Sequence, residues 1–215
     1  MNEVSCTHID LLRHGETIGG KRFRGSLDEP LSPHGWRQMH VAVEGAGPWD
    51  TIVSSPLSRC ADFARAFAHC HAIPLESDDR LREMHFGAWE GRTATELMAT
   101  EPDALTGFWN DPITHPPPGA EPLEQFQART LAAWRDVANR YPSQRVLLIT
   151  HGGVIRVILC QVLGRPLAHS LRFEVPHASR HGVRLGKHGL GGLAELLTAA
   201  VPSYSRAHFS SRCSS

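Results

Sequence analysis

Two apolar stretches of this chain end on a histidine followed by glycine: Leu11-Leu12-Arg13-His14-Gly15-Glu16-Thr17 near the start, and Leu147-Leu148-Ile149-Thr150-His151-Gly152-Gly153 far downstream. A buried strand that hands an imidazole to a glycine turn leaves the ring at the sheet edge. Two parallel strands doing so bring both rings beyond their carboxyl ends, where open α/β sheets hold their ligands. Arg13 stands beside the first histidine, and Arg59 follows Ser54-Ser55-Pro56-Leu57-Ser58. Two guanidinium groups and two imidazoles make a clamp for an anion. A phosphoryl group in transfer spreads charge over its equatorial oxygens, and fixed cationic donors in a dry pocket stabilise that charge. One neutral imidazole in such a site offers the lone pair for a covalent intermediate near neutral pH. Glu83, close in sequence to Phe86 and Trp89, is the candidate donor of the leaving-group proton. Taken singly, Glu83 reads equally well as a surface ion-pair residue, and Arg59 as a solvated helix residue.

Other chemistries fit less well. Gly15-Glu16-Thr17-Ile18-Gly19-Gly20-Lys21 nearly spells a phosphate-binding loop, but Arg22 stands where Ser or Thr would hold magnesium. A cysteine phosphatase needs an arginine six positions after its nucleophile, and Cys60 meets Ala66 there. Fourteen histidines invite a metal reading, yet there is no H-E-x-x-H, and His177, His181 and His188 lack an obvious acidic partner. They read as solvated or packing residues, so no metal and no cofactor is expected. The absence of a G-x-S-x-G elbow disfavours an α/β-hydrolase.

The elements that must position these groups alternate between strand and helix, which argues for an α/β fold. Strands are predicted over His8–Arg13, Thr51–Ser54 and Arg145–Thr150, and helices from Ser32-Pro33 to about Glu44, Leu57–Ala68, Leu123–Arg140 and Gly152 to about Leu163. Ser32 reads as an N-cap with proline at the first helical position. Residues 80–119 loosen into short helical pieces near Thr93–Ala99 and Ala104–Trp109, a side wall or lid. Short strands are predicted over Ser170–Val175, Ser179–Leu185 and Leu193–Thr198. One domain over residues 1–202 and a mobile polar tail over 203–215 are expected.

The 215 residues carry a formal net charge of zero without long like-charged runs, so binding to nucleic acid or to an anionic membrane has little support. The polar start and the interruption of the most apolar stretch by His151 and Arg156 argue against secretion or membrane spanning. The scattered Cys6, Cys60, Cys70, Cys160 and Cys213 read as reduced thiols of a cytoplasmic protein. The expected partner is a small phosphate ester, with the oligomeric state left open.

Five blocks of the chain, in order, resemble the histidine phosphatase superfamily: Arg13–Thr17; Leu27–Ser32 with Gly35; Ser54–Cys60; Leu81–Glu83 with Phe86–Gly91; and Thr150–Arg156. The resemblance implies the phosphoglycerate mutase-like fold, a three-layer α/β/α sandwich around a mostly parallel sheet. It implies His14 as the phosphorylated nucleophile, Arg13 and Arg59 as phosphoryl ligands, His151 as a stabilising partner and Glu83 as proton donor. Gly25, in the loop after the first strand, joins the expected substrate-binding positions. Many relatives carry asparagine where Gly20 stands, so one phosphate contact is expected to be missing. The longer insertion of the mutases is absent, which favours a phosphatase. Phe108–Pro112 through Pro116–Glu121 is similar to the α-ribazole phosphatase group of cobalamin synthesis, which implies α-ribazole 5′-phosphate as substrate. A broad-specificity or sugar-phosphate phosphatase, and a phosphate-binding protein without turnover, stay open as alternatives.

Overall fold

A computed structural model of the chain describes residues 6–186 and 194–200. Its strands are β1 (Thr7–Arg13), β2 (Thr51–Ser54), β3 (Leu75–Ser77), β4 (Arg145–Thr150), β5 (Arg180–Leu185) and β6 (Ala194–Ala200). They form one sheet in the order β3-β2-β4-β1-β5-β6. The first four run parallel, and β5 and β6 add an antiparallel edge.

Side chains alternate across a strand, and here both faces are covered, so the inner strands read as unbroken apolar runs. Leu11, Val53, Val146 and Leu148 point into one core, and Leu12, Ile52, Leu147 and Ile149 into the other. The first core is closed by α5 (Leu123–Arg140) and α6 (Gly152–Val162), joined by residues of α3 (Ala94–Thr100) and α4 (Pro102–Asn110). The second is closed by α1 (Pro33–Val43) and α2 (Ser58–His71), through Met39, Val43, Phe63 and Phe67. This is the expected three-layer arrangement. Ser32 caps α1 as its sequence predicts, its hydroxyl accepting from Gly35 N at 3.0 Å.

The structure differs from the sequence reading in three places. The predicted strand Ser170–Val175 is a 3-10 helix over Leu167–Arg172 followed by irregular chain. The carbonyls that a strand would pair are taken by side chains: Phe173 O accepts from Arg156 Nε and Val175 O from Arg13 Nη1. The unpredicted β3 is a half-exposed edge of three residues, too short for its alternation to register. Cys70 is disulfide-bonded, whereas Cys6, Cys60 and Cys160 are free thiols, so the reading of five reduced cysteines is corrected. Spacing along the chain does not show which sulfurs meet in space. Cys213, His188 and the tail 203–215 lie outside the described residues. Among the described residues, no helix is long and apolar enough to cross a membrane.

One buried charge ties the antiparallel edge to the parallel strands. Asp10 on β1 accepts from Trp49 Nε1 at 2.7 Å, from Arg145 of β4 at 3.1 Å and from Arg180 of β5 at 2.8 Å. Removing the carboxylate leaves Arg180 largely buried without its counter-charge. Asp10→Ala is expected to lower unfolding free energy by about 3 kcal/mol in urea titration, and a change within about 0.5 kcal/mol would show that the carboxylate is replaceable by water.

Candidate active site

β1 and β4 are neighbours in parallel register, with Arg13 opposite Thr150. The next residue of each strand is a histidine, so His14 and His151 leave the sheet at one edge with ring centroids 5.3 Å apart. The backbone N–H of His14 donates to Thr150 O at 2.9 Å and closes the ladder there. Each ring has one nitrogen fixed by a group of known polarity. His14 Nδ1 lies 2.7 Å from Gly15 O, a pure acceptor, so Nδ1 carries the hydrogen and Nε2 the lone pair. His151 Nδ1 accepts from Arg59 Nε at 3.2 Å, which places its hydrogen on Nε2, 2.7 Å from Ser55 Oγ.

Arg59, fully buried at the start of α2, is held through backbone oxygens as well as His151. Its Nη1 donates to Leu27 O at 2.9 Å and its Nη2 to Gly25 O at 2.8 Å. Gly25 therefore supports the guanidinium as well as lining the cavity. Its φ of +46° favours glycine, and a Cβ there would stand 2.1 Å from Glu90 Oε1 and 2.5 Å from Met84 O. Arg13 donates to Val175 O, while its buried Nε has no hydrogen-bond partner among the described residues.

Glu83 arrives from the loop before residues 87–89 and is met by the first turn of α6. Gly153 N donates to its Oε2 and Met84 N to its Oε1, both at 3.0 Å. A Cβ on residue 153 would lie 2.3 Å from Oε1, so the second glycine after His151 is what admits the carboxylate. Arg129 of α5 fastens this loop by donating to the carbonyls of Arg80, Arg82 and Glu83, and it pairs with both oxygens of Glu121.

His14, Arg13, Arg59, Glu83 and Gly25 share the wall of a cavity of about 350 Å³. His151 stands behind that wall, fully buried against His14. Phe86, Phe108 and Trp109, from the stretch expected as a side wall or lid, line the cavity, whereas the sequence gives no role to Arg24, Phe23, Phe126 or Leu171 and places Arg156 only at the end of the fifth block. Arg156 could have been found: in a helix that starts at Gly152, position 156 returns to the face of the first residue. His177, read as a packing histidine, lies with its ring 5.6 Å from that of His14. Trp89 belongs to the core and not to the cavity, its Nε1 donating to Glu101. Gly20 lies outside the cavity wall at a φ of +70°, and its carbonyl accepts from Arg24. Among the described residues, no group of three or more acidic, histidine or cysteine side chains is placed to hold a metal ion.

The profile of the Histidine phosphatase superfamily (branch 1) matches residues 9–193. The chain belongs to the histidine phosphatase superfamily. A glucosyl-3-phosphoglycerate phosphatase of Mycolicibacterium vanbaalenii is 33% identical over 168 residues, covering 73% of this chain and 74% of its own. A metal-independent phosphoserine phosphatase of Arabidopsis thaliana is 31% identical, covering 74% and 70%. The solved α-ribazole phosphatase of Shigella flexneri superposes with a TM-score of 0.77 over 94% of this chain and 100% of its own, at 22% identity, a likeness of fold.

In this histidine phosphatase, burial governs the protonation of the imidazoles. His14 is held well below the usual histidine range by burial first and by the charges of Arg13 and Arg59 next. His151 is lowered in the same way, by burial and then Arg59. His177 is pushed down to about 3 by burial, Arg13 and Arg24. Arg13 itself is lowered to about 10, by burial and then Arg156. A histidine depressed in the folded state protonates first in the unfolded chain. As pH falls below about 6.5, the unfolded state gains protons that the folded state refuses, and stability falls by about 1.4 kcal/mol per pH unit for each such ring. That stability is present in full above about pH 6.5 and is lost toward the folded pKa. Urea titrations between about pH 7.5 and pH 5 are expected to show a steep loss that is shallower in His14→Ala by about 1.4 kcal/mol per unit; equal slopes would mean that His14 protonates freely.

Proposed function

We propose that the chain is a phosphomonoesterase that works through a phosphohistidine on His14. The observation that carries this reading is the pinned tautomer: Nδ1 is committed to Gly15 O, so the free lone pair sits on Nε2 of a ring kept neutral by its surroundings. Nε2 attacks phosphorus as the ester P–O bond breaks, and the departing oxygen takes a proton from Glu83. Water then attacks the phosphohistidine, gives a proton back to Glu83 and releases inorganic phosphate with a neutral His14. Arg13 and Arg59 meet the equatorial oxygens, and His151 supports the clamp through its bond to Arg59. No step requires a metal.

Two kinds of leaving alcohol have support. The aromatic wall, with Phe108 and Trp109 from the segment similar to the α-ribazole phosphatase group, favours an apolar ring such as that of α-ribazole 5′-phosphate. A sugar phosphate or a compact charged ester is favoured by the arginines of the cavity and by relatives named for glucosyl-3-phosphoglycerate and phosphoserine. Phosphate release from α-ribazole 5′-phosphate, sugar phosphates, phosphoglycerates and p-nitrophenyl phosphate, compared as kcat/KM, separates them.

His14→Ala is expected to lower turnover of every ester by roughly a thousandfold or more; appreciable residual activity would sink the mechanism, and tight phosphate binding without turnover in the unaltered protein would make it a binding protein. Glu83→Gln should slow alkyl phosphates by about 100-fold but p-nitrophenyl phosphate by less than about tenfold, because a good leaving group needs no proton. Equal losses on both would remove Glu83 as the acid.

A further inference from the structure

The charges around the cavity do not cancel once a phosphate ester is in place. The dianion of a phosphomonoester answers Arg13 and Arg59, and Arg24 already has Glu29, with Nε–Oε2 at 2.8 Å. Arg22 lies at the exposed rim, bonded to Gly19 O and Gly91 O. Glu83 is neutral in the form that donates a proton. That leaves Arg156, half-buried on the cavity-facing side of α6.

The shape of its surroundings says what it would take. Its Nε donates to Phe173 O at 3.0 Å, which fixes the plane of the guanidinium. Among the described residues, its two terminal nitrogens have no hydrogen-bond or ion-pair partner. Nη1 lies 3.0 Å from where a Cβ on Gly152 would stand, and Arg13 Nε lies 3.4 Å from the same point, so the free edge opens toward the phosphoryl clamp over a residue without a side chain. The cavity wall also holds Val157, Ser170, Leu171 and Phe126, and Glu83 is the carboxylate whose charge acts on Arg156. A fixed guanidinium edge at this corner matches a planar monoanion, which it can bond with two parallel N–H groups.

We propose that Arg156 is a specificity-determining residue that binds a carboxylate on the alcohol part of the substrate, so that the preferred esters are compact phosphorylated carboxylic acids. This rests on the phosphatase reading and chooses between its two kinds of leaving alcohol.

The test uses a matched pair, 3-phosphoglycerate and glycerol 3-phosphate, which differ only in a carboxylate against a hydroxymethyl group. The full chain is expected to prefer 3-phosphoglycerate in kcat/KM, and Arg156→Gln to lower that preference by about ten- to a hundredfold, mainly through KM, with Arg156→Lys between them. Equal losses on both esters would place Arg156 on the phosphoryl group and overturn the proposal, as would an unchanged preference. Calorimetric binding of 3-phosphoglycerate to His14→Ala, with and without Arg156→Gln, reads the same contact without turnover. If neither ester is hydrolysed but binding still needs Arg156, recognition stands and the catalytic reading fails. If binding ignores Arg156, recognition fails whatever the catalysis.

Discussion

The parallel pairing of β1 with β4 is the constraint on which the site depends. Their register puts Arg13 opposite Thr150, and only from that register do the next residues, His14 and His151, leave the sheet together. A slip by one residue would exchange the two apolar faces of β4 and bury Val146 and Leu148 on the side of α1 and α2. The side chains on both faces are buried, so the histidine geometry inherits the stiffness of two cores. The backbone bond from His14 N to Thr150 O carries that stiffness to the first residue of the loop.

Beyond the strand ends, arginines are held by backbone oxygens more than by carboxylates. Leu27 and Gly25 hold Arg59, Val175 holds Arg13, and Phe173 holds Arg156. A carbonyl fixes a guanidinium without cancelling its charge, which a carboxylate would do. The result is a positive corner in a chain of zero net charge, where burial first and these charges next keep the neighbouring imidazoles unprotonated. An anion entering this corner meets donors that need no rearrangement, the condition under which electrostatic stabilisation is largest.

Much of this was legible in the sequence where one residue type has one physical use. The strand ends at His14 and His151, the capped start of α1 and the span of α5 follow from apolar runs, a Ser-Pro pair and helical spacing. Of the clamp, Arg13 stands beside the first of those ends, and Arg59 follows the end of β2 at the start of α2. The far side of the cavity was legible only as a side wall over residues 80–119, because Phe108 and Trp109 of α4, Phe126 of α5 and Leu171 of the 3-10 helix come from separate elements whose meeting is decided by packing. The false strand at Ser170–Val175 shows the limit of pattern: an apolar alternation there was real, but two arginines took its carbonyls. Position 156 reads in the sequence as a charge that interrupts an apolar stretch and as the end of the fifth block, while its helical phase with Gly152 is what gives it meaning.

On the proposed function, the two ends of the cavity are built on different terms. The phosphoryl end is made of strand termini and helix starts, with Glu83 gripped by Gly153 N and its loop fastened by Arg129. A change there disturbs the sheet or the first turn of α6. The alcohol end is made of side chains on α4, on the 3-10 helix of Leu167–Arg172 and on one turn of α6, where substitution alters shape and charge without touching a strand. Such a division lets one reaction persist while its leaving group varies, because the energy that stabilises the transferred phosphoryl is separate from the energy that selects the alcohol. It also explains why the reaction can be read from five short blocks while the substrate must be read from a surface: the first is a property of strand ends, the second of which side chains the fold happens to face inward.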